Sequence, residues 1–140
     1  MAPYHSIPVA IFTGKGQAMK YTRVYADDAG ESHYQDLEGE LTIQDYAPPA
    51  PPFFLSSPAT ATGVAFARFP AGWDSNWHPT PRRQYFIFLT GAFEGETSDG
   101  DRRSHGPGSA VLLEDTTGKG HRARVVGNED VLAAVVHLPD

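Results

Sequence analysis

The 140-residue chain contains no cysteine, which excludes disulfides and thiolate metal sites and suits a reducing compartment. No segment approaches the roughly 18 consecutive apolar residues that a membrane helix needs. The opening stretch, "MAPYHSIPVAIFTGKG", lacks the basic region and longer apolar core of a secretory signal, so a cytoplasmic protein is expected. Cations are outnumbered: 11 Lys and Arg against 17 Asp and Glu give a net charge of −6. Phosphate backbones and anionic lipid surfaces require clustered positive charge, so neither nucleic acid nor membrane is an expected partner. Room for long helices is also missing, because 14 Gly and 12 Pro interrupt most ten-residue windows.

What lies between the breakers has strand composition. "YTRVYA" (21–26), "FFLSS" (53–57), "GVAFARF" (63–69), "QYFIFLT" (84–90), "SAVLLE" (109–114), "HRARVV" (121–126) and "VLAAVVHL" (131–138) are rich in Val, Phe, Tyr and Leu. Asp99-Gly100 marks a tight hairpin between 92–97 and 102–105. Short strands separated by Gly and Pro turns predict an all-β sandwich or barrel, and the length fits one domain with a modest core.

Three other features carry less. "APPAPPFF" (47–54) reads as a polyproline ligand or, preferably, as a stiff extended crossing anchored by its two Phe. "DDAGES" (27–32) is an acidic turn with too few ligands for calcium. "TGKG" occurs at 13–16 and 117–120 without the upstream Gly and following Ser or Thr of a phosphate-binding loop.

The chemistry concentrates in "GWDSNWHPTPRRQYFIFLTG" (72–91), where His78, Thr80 and Gln84 precede or open an apolar strand. The spacing Gly72-x5-His78-x-Thr80-x3-Gln84-x6-Gly91 resembles the first motif of the cupin superfamily, with Thr80 in place of the second His and Gln84 in place of the Glu. Within "GPGSAVLLEDTTGKGH" (106–121), the stretch from Gly108 to His121 is similar to the second motif, with a loop about two residues longer and Val125 where an Asn often sits. "WHPTPRRQ" and "EDTTGKGH" further resemble a bacterial subset of small single-domain cupins. The resemblance spans residues 60–140. It implies an RmlC-like jelly-roll β-barrel (61–140) preceded by an N-terminal arm (1–60) that packs on the barrel or on a partner subunit, and hence a homodimer.

Alternation supports the same inward set. In "HRARVV", Arg122 and Arg124 share the face opposite His121, which sends His121 inward. Polar groups entering an apolar interior point to a use. In one use, His78 and His121 act as acid and base on a small organic molecule, with Asp115 or Glu114 orienting one imidazole and Gln84 holding a substrate oxygen. Thr80, Trp73, Trp77, Arg82 and Lys119 are candidate substrate contacts, with Arg82 and Arg83 able to clamp a carboxylate. In another, His78, Gln84 and His121 hold Mn, Fe, Ni or Zn. Since an amide is a weak neutral ligand, no tightly bound metal is expected. A third use is a ligand sensor or carrier without turnover. His5, His33, His105 and His137 read as surface or edge residues.

Overall fold

Alternating side chains decide which face of each strand enters the core. In "QYFIFLT", Gln84 and Phe88 are buried while Ile87 and Leu89 stay in solvent. The computed structural model describes residues 18–140; His5, the first "TGKG" and the leading part of the expected arm lie outside the described residues. The described chain is all-β, with strands β1 (Met19–Ala26), β2 (Ser32–Gly39), β3 (Thr42–Gln44), β4 (Phe53–Leu55), β5 (Gly63–Phe69), β6 (Gln84–Thr90), β7 (Ala92–Thr97), β8 (Arg102–His105), β9 (Ala110–Leu113), β10 (His121–Val126) and β11 (Val131–His137). Among the described residues no helix is long and apolar enough to cross a membrane.

Two compact units divide the chain, the larger taking Tyr21–Leu37 and Thr60–Asp140. It contains a six-stranded sheet in the order β2-β1-β9-β6-β11-β5 and a three-stranded sheet in the order β10-β7-β8. One apolar cluster joins them: Val24, Phe88, Val111 and Val131 from the first sheet meet Phe93, Ala123 and Val125 from the second. The sheets therefore pack face to face, an all-β arrangement that fits the expected jelly roll. The hairpin at Asp99-Gly100 joins β7 to β8 with Phe93 opposite His105, as its turn chemistry predicts.

The expected boundary at residue 60 does not describe this unit. β1 runs parallel to β9, with Thr22 opposite Val111 and Val24 opposite Leu113, and Val24 is 2% exposed. A strand whose alternate residues complete the core belongs to it, however far away in sequence its neighbour lies.

The smaller unit includes Glu38–Ala59, in which β3 and β4 pair antiparallel from Thr42–Leu55 to Gln44–Phe53. "APPAPPFF" is not an extended crossing. The chain turns back within it, Ala50 N donating to the Ala47 carbonyl at 2.9 Å, and Phe53 meets Tyr46 edge-on at 5.6 Å.

Candidate functional site

Proline supplies no backbone donor, so Pro79 and Pro81 interrupt pairing just before β6 and leave His78 on a short bridge of its own. That bridge is to His121, the first residue of β10: each backbone N donates to the other's carbonyl at 2.9 Å. So close an approach needs a glycine beside it. Gly120 has φ +72°, and a Cβ there would fall 2.1 Å from the His78 carbonyl.

The two imidazoles consequently lie side by side, their centroids 4.8 Å apart and their planes tilted by 57°. A carbonyl can only accept, so His78 donates from Nδ1 to the Asn76 oxygen at 2.7 Å. His121 Nδ1 lies 2.6 Å from Asp115 Oδ2, a carboxylate with no exposed surface. In the neutral ring each Nε2 is then the bare, basic nitrogen. Asp115 Oδ1 is buried and has no hydrogen-bond partner among the described residues.

Thr80 and Gln84 complete the cluster. Thr80 donates its backbone N–H to the Asp115 carbonyl at 3.0 Å and its hydroxyl to the Arg82 carbonyl at 3.2 Å. Gln84 donates from Nε2 to the Thr80 hydroxyl oxygen at 3.1 Å, which leaves its second amide N–H and its oxygen for other partners.

These groups open onto a cavity of about 240 Å³ between the sheets. His78, Thr80, Gln84 and His121 line it, and so does Trp73, packed edge-on against Phe69 at 4.8 Å. Much of the remaining wall is aromatic, with Phe86, Phe88 and Phe93 among its members. Asp115 stands behind His121 rather than on the wall.

Other expected contacts face elsewhere. Trp77 is exposed beneath the Arg122 guanidinium, 5.0 Å from its ring. Arg82 is exposed beside His137 Nδ1, and Lys119 pairs with Glu31 at 2.6 Å. None of the three lines the cavity, because each is drawn outward to a surface partner. Arg83 and Arg23 both bind Glu114; burial opposes its ionisation, but those two hydrogen bonds prevail and hold its pKa low. Glu114 is thus unavailable to either imidazole.

Among the described residues, two polar members of the cavity wall lie outside the expected set. His105, read from sequence as a surface histidine, is 6% exposed and lines the wall with Tyr34 of β2. Burial, aided by the charge of Arg103, pushes the His105 pKa down to about 4, so the ring is neutral near pH 7. Burial likewise raises the Tyr34 pKa and keeps its phenol protonated.

Cation-binding potential is limited to neutral donors. His78 and His121 offer two nitrogens and Gln84 an amide oxygen, while the Asp115 and Glu114 carboxylates serve other partners. Among the described residues no group of three or more His, Cys, Asp or Glu is arranged to hold a metal ion.

No protein-family model matches the chain, and no curated protein matches it. Several solved structures are similar. The Cnp3 cupin domain of Schizosaccharomyces pombe shares 12% identity over 86% of this chain and 88% of its own, with a TM-score of 0.49. A conserved Streptococcus pyogenes protein of unknown function shares 18% over 61% and 71%, with a TM-score of 0.44. A putative ethanolamine utilization protein from Salmonella typhimurium shares 10% over 89% and 98%, with a TM-score of 0.39.

Proposed function

We propose that the chain is a small-molecule-binding cupin whose cavity performs proton-transfer chemistry, of the lyase, isomerase or cyclase type, without a tightly held metal. The observation that carries this reading is the pair of imidazoles. Both rings have Nδ1 tied to a fixed acceptor, and both line an aromatic cavity to which, among the described residues, no Arg, Lys, Asp or Glu contributes.

Asp115 fixes the His121 tautomer and stabilises the imidazolium that forms when Nε2 takes a proton. The proton comes from a carbon beside a substrate carbonyl. Its electron pair moves into that carbonyl to give an enolate oxygen, which the free amide N–H of Gln84 can hold. Returning the proton from His121 to the same or a neighbouring carbon completes the cycle, so no oxidant or reductant is required. His78 forms the adjoining wall and keeps a second basic nitrogen within reach. Two imidazoles and a weakly coordinating amide favour this chemistry over a tightly held divalent ion.

A bicyclic ketone, 2-tetralone, tests the reading. In deuterated buffer, the protein should exchange its α-protons faster than an equal concentration of free imidazole does, as followed by proton NMR. His121→Gln should remove that excess while the fold persists. Exchange no faster than with free imidazole would refute the catalytic reading and leave a binding protein.

A further inference from the structure

The cavity has a second polar corner, made by Tyr34 and His105, with the phenol oxygen 3.2 Å from Nε2. It is remote from the first. Across β7, His121 faces Thr97 and His105 faces Phe93, so the two histidines flank opposite sides of that strand, four residues apart along it. Strand spacings of about 4.8 Å and rises of about 3.4 Å per residue place their Cα atoms on the order of 15 Å apart.

This corner is held in shape from three sides. The His105 ring lies parallel to Phe88, at 6° and 5.6 Å. The Arg103 guanidinium sits 4.8 Å over the Tyr34 ring. Beneath the phenol is Gly95, where a Cβ would meet the hydroxyl at 2.3 Å, so the missing side chain is what admits that oxygen. Tyr34 O–H and one His105 N–H make two donors, and their mutual bond uses one of them. With His105 donating from Nε2 to the phenol oxygen, the Tyr34 O–H remains for a guest.

The rings of Phe69, Trp73, Phe86, Phe88 and Phe93 line the same cavity, and among the described residues no Arg, Lys, Asp or Glu does. A phosphate or dicarboxylate would lose its water there without a fixed counter-charge. Size narrows the guest further. At about 240 Å³ the cavity exceeds the ~150 Å³ that holds benzene and falls short of the ~300–1,000 Å³ of drug-sized sites.

We infer that the ligand is an uncharged, planar molecule of about two rings with an oxygen function at each end, one held by the His78–His121–Gln84 cluster and the other by Tyr34–His105. This rests on the proposed use of the cavity and adds the class of molecule that it takes.

Calorimetric titration with naphthalene, 2-naphthol and the 1,5-, 2,6- and 2,7-naphthalenediols tests both levels. The best diol should bind about five- to tenfold tighter than 2-naphthol, the worth of one further neutral hydrogen bond. Tyr34→Phe should abolish that advantage while leaving naphthalene binding within about twofold. A diol no tighter than 2-naphthol, or an advantage that survives Tyr34→Phe, overturns the second corner and leaves the cavity reading intact. Absence of saturable binding by every probe, naphthalene included, removes the cavity reading and this inference together. Should Tyr34→Phe fail to fold, wild-type protein still decides: the bound diol must show nuclear Overhauser contacts to the rings of both corners. Contacts to one corner alone overturn the inference.

Discussion

His121 and Asp115 meet at 2.6 Å, and the carboxylate's other oxygen is buried with no hydrogen-bond partner among the described residues. An unsatisfied buried polar atom costs about 1–3 kcal/mol, which offsets what the bond to His121 contributes and leaves the pair little net worth to stability. A role in orienting and charging the imidazole accounts for it. Asp115→Asn keeps an acceptor for Nδ1–H and removes the negative charge. We expect the tetralone exchange rate to fall by about 10²-fold, with stability altered by less than about 3 kcal/mol because one buried atom stays unpaired in either protein. Exchange kinetics beside a urea melt measure both. An unchanged rate would make Asp115 purely structural.

Gly120 is a harder constraint. A methyl group there meets backbone rather than a side chain, 2.1 Å from His78, and the residue must also hold φ +72°. Gly120→Ala should break the His78–His121 bridge and cost more than about 2 kcal/mol, beyond the left-handed penalty alone. The outcome is read as a lower urea midpoint together with loss of the slow-exchanging His78 and His121 amides.

Gly95→Ala should behave differently, because its clash is with the tip of a side chain. The nearest atom is the Tyr34 hydroxyl at 2.3 Å, and the next is His105 Nε2 at 3.3 Å. Alone the change should cost about 1–3 kcal/mol, as overpacking does. In a Tyr34→Phe background the ring carbon at 3.6 Å becomes the nearest Tyr34-derived atom, and the cost should at least halve. A double-mutant cycle by urea unfolding measures that coupling. Additive costs would show that Tyr34 does not occupy the space above Gly95.

Much of this architecture is legible in the residues themselves. β5, β6 and β10 begin and end where "GVAFARF", "QYFIFLT" and "HRARVV" do, since alternation and turn residues act locally. β2 is not legible in this way. "SHYQDLEG" is an edge strand with few apolar residues, and its pairing depends on β1 reaching β9 from far along the chain. Tyr34 was therefore hidden with it. His105 was within reach: the Asp99-Gly100 hairpin sets its register against Phe93, and an inward Phe93 makes an inward His105. The outward course of three expected contacts has another cause. Arg82, Lys119 and Trp77 adjoin the motif in sequence, but the partners that draw them outward come from β11, the turn before β2 and β10.

Titration separates two of the remaining histidines by sign. His105, neutral in the folded protein with a pKa near 4, starts from an ordinary value of 6.5. Below pH 6.5 the unfolded chain gains a proton that the fold refuses, so this contribution is complete above 6.5 and is lost as the pH falls toward 4. The loss over that window is about 3 kcal/mol. His33 acts in the opposite sense: hydrogen bonds to Asp27 and then Asp99 outweigh its burial and raise its pKa. Its contribution is complete below 6.5 and fades as the pH rises through the raised value. NMR of the imidazole Cε1–H groups should show His33 titrating above 6.5, and His105 shifting only near 4. Urea unfolding at pH 7.5, 6 and 5 adds the energetic test, because His33 and the carboxylates cancel between wild type and His105→Gln. Wild-type stability should fall more steeply toward acid by up to about 1.4 kcal/mol per pH unit. Parallel acid limbs, with His105 titrating near 6.5, would place that ring in water and remove it from the cavity wall.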